Sequence, residues 1–220
     1  MEKKQLIGWG VLMGLVSTFL IVKFGKKSIF SSIAPATSYE TKEVGDIIIT
    51  KPISDAKSYN VIYVFGGISY ANKKWMKEQM PKSYFLHNVV VLADYTDSFS
   101  SVKKQLDSFL SQNGLKQGQV SIIGFSAGGL NVLNAYNKDF KFVGLIDPSN
   151  KPQHLNISFG KNAYMVYNTS NWGAYPTIQD NMSKIAKNVS NGGGFSSPTK
   201  MSHKEIPKYF FINYTDVHKQ

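Results

Sequence analysis

From residue 46 onward, two textures of apolar and polar positions alternate along the chain. Short, nearly unbroken apolar runs at 46–50, 60–65, 88–93, 120–123, 142–146 and 163–167 read as β-strands. The run at 88–93 is apolar on both alternations after its first residue, as in a strand covered on both faces. Between these runs, apolar residues recur every three or four positions. Phe99, Val102, Leu106, Phe109 and Leu110 mark one helical face over 99–112, and Asn113-Gly114 closes it. Residues 75–80, 130–136 and 178–189 read as further helices, the first ended by Pro81. Asn191-Gly192-Gly193-Gly194 is a flexible break, and 209–212 reads as either a strand or a helix. Strands alternating with helices predict an α/β domain, a mostly parallel sheet flanked by helices.

The first 45 residues have a different texture. Lys3 and Lys4 precede an uncharged run at 5–22, and Lys23, Lys26 and Lys27 follow it. A run of about 18 residues is at the lower limit for a spanning helix. Residues 1–27 therefore predict a single-pass N-terminal membrane anchor. The alternative is a secretory signal peptide and a secreted product. Its apolar core would usually be about 7–15 residues long with cleavage close behind, whereas Ala34-Pro35-Ala36 lies well beyond the lysines. Two lysines before the run and three after it bias the globular part weakly toward the cytoplasmic side. Residues 28–45, rich in Ser, Ala, Thr and Pro without periodicity, read as a linker to a domain at 46–220.

Composition narrows the chemistry. The 220 residues suffice for one domain with its own core. All 25 basic residues are lysine, and the formal net charge is +11. Arginine supplies the bidentate fork used on phosphates and base edges, so no specific nucleic-acid binding is expected. The positive field favours anionic surfaces such as a membrane or a cell-wall polymer. The absence of cysteine excludes disulfides and a thiol nucleophile. No cofactor or metal is expected. Sequons at Asn156, Asn168, Asn181, Asn188 and Asn213 read as coincidences in a chain rich in Asn and Ser.

The strand at 120–123 runs into Gly124-Phe125-Ser126-Ala127-Gly128, and a helix follows. A serine raised on a sharp strand-to-helix turn is the geometry of a nucleophile elbow. A serine hydroxyl needs a base, and the base needs an orienting acid. Of four histidines, His87 sits at the wrong end of its strand and His218 near the terminus. His154 is possible. His203, on a late loop able to fold over the carboxyl ends of the strands, is the candidate base. Asp147 directly follows the 142–146 strand and is the candidate acid; Asp180 is its rival, and Asp94 and Asp97 end an earlier strand. A tetrahedral oxyanion needs two donors. The Ala127 N–H is one, and the loop Phe65-Gly66-Gly67-Ile68 supplies the other, assigned to Gly67.

These residues resemble the α/β-hydrolase superfamily, the lipase and esterase fold, over roughly 47–212. Gly124–Gly128 resembles its elbow, and Gly66-Gly67 its glycine-rich oxyanion loop, although Phe65 stands where that loop usually carries histidine. The order Ser126, Asp147, His203 follows the superfamily order. Gly144-Leu145-Ile146-Asp147-Pro148 is similar to the Gly-Leu-Asp-Pro of pancreatic-type lipases with one residue added. Most other members place the acid one strand later, which keeps Asp180 in view. The resemblance implies a serine esterase acting on a small-molecule or lipid ester or thioester through an acyl-enzyme, and the predicted anchor would hold it at a membrane. A short domain with little room for a lid implies an open site. The alternative is a hydrolase-fold module that has lost catalysis and serves in binding or structure at a membrane or surface.

Overall fold

A computed structural model of the protein describes residues 35–170 and 176–214. The expected anchor at 1–27 lies outside the described residues, as does His218. Among the described residues no helix is long and apolar enough to cross a membrane.

Among the described residues eight strands form one sheet: β1 (Tyr39–Val44), β2 (Ile47–Pro52), β3 (Ser58–Phe65), β4 (Val89–Ala93), β5 (Lys116–Phe125), β6 (Phe142–Ile146), β7 (Ala163–Asn168) and β8 (Phe195–Thr199). Their spatial order is β1-β2-β4-β3-β5-β6-β7-β8. β1 and β2 pair antiparallel at one edge, and β2 meets β4 antiparallel. From β4 to β8 every pairing is parallel. Among the described residues six α-helices cover the sheet: α1 (Lys73–Gln79), α2 (Ser83–His87), α3 (Phe99–Gln112), α4 (Gly128–Ala135), α5 (Pro176–Asn191) and α6 (Ile206–Asn213).

The two-residue alternation of the strands divides the core. Val61, Tyr63 and Phe65 of β3 lie in one apolar layer with Leu106 of α3, Val132 of α4 and Ile185 of α5. Ile62 and Val64 face the other way, toward Met76 of α1, Tyr84 of α2 and Phe210 of α6. Both faces are covered, so the central strands are apolar throughout. On α3 the predicted spacing is what is buried: Val102, Leu106, Phe109 and Leu110 face the sheet. Ser98 caps this helix by accepting the Ser101 N–H at 3.2 Å.

Two strands differ from the sequence reading, for related reasons. β1 lies inside the stretch read as linker at 28–45. Its sequence, Tyr-Glu-Thr-Lys-Glu-Val, shows no apolar alternation because an edge strand here buries neither face completely. β8, at the opposite edge, is Phe-Ser-Ser-Pro-Thr and carries no strand signal; Pro198 is tolerated at an edge. The tail at 209–212 is part of α6, with Phe210 and Phe211 buried beneath it. Of the sequon asparagines, Asn168 and Asn181 are buried.

The strand order reverses between β3 and β5. β3 leads to β4 on one side, and β5 leads to β6 on the other. In open α/β sheets the carboxyl ends of the strands at such a switch form the crevice that takes ligands.

Candidate active site

Ser126 stands in that crevice, at the end of β5. Its backbone has φ 52°, in the left-handed region. Its N–H donates to the Ile146 carbonyl at 3.0 Å, and its carbonyl accepts from Gly129 at 2.9 Å and Ser149 at 2.8 Å. The turn is thus tied both to its own helix and to the end of β6. Close packing makes the flanking glycines necessary. A Cβ at Gly128 would run into the carbonyl oxygens of Phe65 and Gly66, and one at Gly124 into the carbonyl of Gly128. The motif is tight because strand β3, strand β5 and helix α4 share one small volume.

Asp147 occupies the same place one strand over, since Phe125 pairs with Ile146 in the β5–β6 register. It is fully buried and also has a positive φ, 43°. A buried carboxylate is costly unless paired and hydrogen-bonded. Here Oδ1 accepts the Asn168 main-chain N–H at 2.9 Å, and Oδ2 lies 2.6 Å from Nδ1 of His203. With the Asp147 oxygen as acceptor, Nδ1 is the donor, which leaves Nε2 as the nitrogen that can take a proton. The ring of His203 lies against that of Phe125, centroids 4.4 Å apart and tilted 32°. The residue before Ser126 therefore forms a platform for the imidazole.

The His203 loop is pinned at several points. The Asn168 side chain donates to the Met201 carbonyl at 2.7 Å. The Ser202 N–H and hydroxyl donate to Glu205 at 3.0 and 2.7 Å. Those two bonds, the hydroxyl's first, hold the Glu205 carboxyl below the usual carboxylate range. The Lys204 ammonium sits 4.5 Å over the ring of Tyr70, linking this loop to the loop after β3. Tyr70 in turn meets Trp75, and Trp75 meets Phe125, at 5.4 and 5.6 Å between centroids.

The remaining candidates are placed as follows. Asp180 is exposed on α5, and among the described residues it forms no ion pair. His154 is buried in the β6–β7 connection, where Nδ1 accepts the Lys151 N–H at 3.0 Å and Nε2 meets Asn134 Oδ1 at 2.9 Å. Both nitrogens are engaged in holding the turn. Burial first, and the Lys151 charge second, push its imidazole below the ordinary histidine value. His87 ends α2 at the amino end of β4. Asp94 accepts the Lys73 N–H at 2.8 Å and pairs with its ammonium at 3.2 Å, stabilising the start of α1. Among the described residues no cluster of His, Cys, Asp and Glu could hold a metal ion.

The loop after β3 differs from the simplest expectation. The Gly67 N–H donates to the Ala71 carbonyl at 2.7 Å and is turned away from the crevice. What Gly67 contributes is space: a Cβ there would lie 3.0 Å from the Ser126 Cβ. The next residue, Ile68, is 55% exposed, and its N–H has no hydrogen-bond partner among the described residues. The Ala127 N–H is likewise without one. Ser69 follows with φ 59°. Three non-glycine residues among those described have positive φ, and Ser69, Ser126 and Asp147 all stand at this edge of the sheet. Strained backbone of this kind concentrates at functional sites.

A parallel sheet in this order, with a serine turn after β5, has the α/β-hydrolase fold. Among solved structures the chain is similar to a predicted CIB-like hydrolase from Thermoplasma acidophilum, at TM-score 0.50 and 14% identity over 81% of this chain and 96% of that one. It also matches the esterase domain of a Rhodothermus marinus protein, at 0.48 and 13% over 79% and 94%. A thermostable esterase matches at 0.47 and 13% over 80% of this chain, which spans 59% of that esterase. At such identities the likeness is one of fold. No protein-family model and no curated protein matches the sequence.

Proposed function

We propose that the protein is a serine hydrolase that cleaves an ester or thioester through an acyl-enzyme, held at a membrane by residues 5–22. Ser126 Oγ attacks the substrate carbonyl while its proton passes to Nε2 of His203. Asp147 orients the imidazole and stabilises the cation that forms. The negative charge on the carbonyl oxygen is received by the N–H groups of Ala127 and Ile68. With its own N–H bonded to Ala71, Gly67 leaves the second donor role to Ile68 and serves close approach. The departing alkoxide or thiolate takes the proton from His203. Water, giving a proton to the same nitrogen, then attacks the acyl carbon, releases the acid and restores Ser126. Exposed Ile68, next to the Gly67 that approaches Ser126, suits an apolar acyl group, as in a lipid ester.

One observation carries this reading: a fully buried carboxylate 2.6 Å from His203, at the strand end next to Ser126. A fluorophosphonate probe reacts with a serine only when a base activates it. The wild type labels and Ser126→Ala does not. Absence of label on both would leave an inactive binding or structural module as the better reading.

A further inference from the structure

We infer that Asn168 is a positioning residue that sets the contact between acid and base. The inference rests on the hydrolase reading for its catalytic consequence, but not for its geometry. Asn168 closes β7 and is 8% exposed. Its main-chain N–H holds Asp147 Oδ1 at 2.9 Å. Its side-chain amide, pointing the other way, holds the Met201 carbonyl at 2.7 Å, two residues before His203. Its Oδ1 accepts from Ser170, which fixes the amide plane. One residue therefore touches Asp147 directly and the His203 loop at Met201, through separate groups.

The roles divide cleanly. The main-chain donor belongs to the strand and survives any substitution except proline. It fixes one carboxylate oxygen and so directs the other toward His203. The side-chain donor is particular to asparagine. It fixes the base loop from the sheet side, while the Ser202–Glu205 bonds fix it from the solvent side. Without the amide, the loop keeps its outer clasp and, on the sheet side, only the bond from the Met201 N–H to the Thr199 hydroxyl. His203 then drifts relative to a carboxylate that stays in place. Misplacement by about 1 Å is enough to cost on the order of 100-fold in rate.

The test uses two readouts on the full chain. The Nδ1 proton shared with Asp147 gives a far-downfield proton resonance, assigned by its loss in His203→Gln. The second readout is the rate and half-saturation of fluorophosphonate labelling. In Asn168→Ala the resonance is lost to exchange and the maximal labelling rate falls about 10–100-fold, with half-saturation little changed. Asn168→Ser, which keeps an acceptor for Ser170 but is too short to reach Met201, gives the same result and covers poor folding of the alanine variant. Thr169→Val removes a neighbouring bond to the Thr199 carbonyl and leaves both readouts at wild-type values. A folded Asn168→Ser with unchanged resonance and rate overturns the inference, as does an equal loss in Thr169→Val. If the wild type fails to label yet the resonance depends on Asn168, the positioning stands and the hydrolase reading falls. If both Asn168 variants label at the wild-type rate while Ser126→Ala does not label, the positioning falls and the hydrolase reading stands.

Discussion

The turns that enter strands and the turns that leave them solve the same backbone problem with different residues. Gly114, entering β5, and Gly193, entering β8, take positive φ values of 61° and 77°. Glycine adopts that conformation without a steric penalty. Leaving β3, β5 and β6 on the opposite edge, the same region of φ is occupied by Ser69, Ser126 and Asp147. A side chain there costs about 1–2 kcal/mol per residue. The amino edge is thus built for stability, while the carboxyl edge accepts strain wherever a side chain must point into the crevice. Extra hydrogen bonds hold the strained residues: the Ser126 peptide makes three, and the Asp147 side chain is held from two sides.

This contrast can be broken in three ways. The largest effect is expected at Gly67, where an exit turn is limited by space rather than by φ. Gly67→Ala puts a methyl group 3.0 Å from the Ser126 Cβ and 3.2 Å from the Ala71 Cβ. The serine shifts, and fluorophosphonate labelling slows by about 10–100-fold while the fold persists; labelling at the wild-type rate would show that the elbow does not depend on this approach. An entry turn should behave oppositely. A Cβ at Gly114 meets nothing within 4 Å, so Gly114→Ala pays only for its φ. Denaturant unfolding should show a loss of about 1 kcal/mol with unchanged labelling of the folded protein. The smallest change in stability sharpens the comparison most. Ser126→Gly relieves strain at the nucleophile and should raise stability by about 0.5–1 kcal/mol while abolishing labelling. A loss of stability in Ser126→Gly would mean that the elbow is not strained.

Legibility from sequence follows how much of an element's environment is local. β4 and α3 are readable because burial imposes its period on neighbouring residues. β1 and β8 are silent because an edge strand is held by main-chain pairing, which any sequence can supply. The run at 209–212 is too short for its period to separate strand from helix, and only the apolar layer under the sheet decides for α6. The site divides in the same way. Ser126 is marked by glycines two positions away on either side, which record close packing in the chain itself. Asp147 and His203 carry weaker marks, a strand end and a late loop. Asn168 carries none, because its two bonds exist only once β7 stands between β6 and the loop after β8. The engagement of the Gly67 N–H by Ala71 is equally invisible, since it depends on how the strained turn at Ser69 brings the chain back.

His203 lies 56 residues beyond its carboxylate partner and follows the last strand of the sheet. Contacts across such separations close late, after the intervening chain has been ordered. On the proposed mechanism, a chain ending at β7 would hold its nucleophile and its acid but no proton acceptor. Hydrolytic competence would then wait for the residues that follow β8, and the order of residues along the chain would act as a safety catch during synthesis.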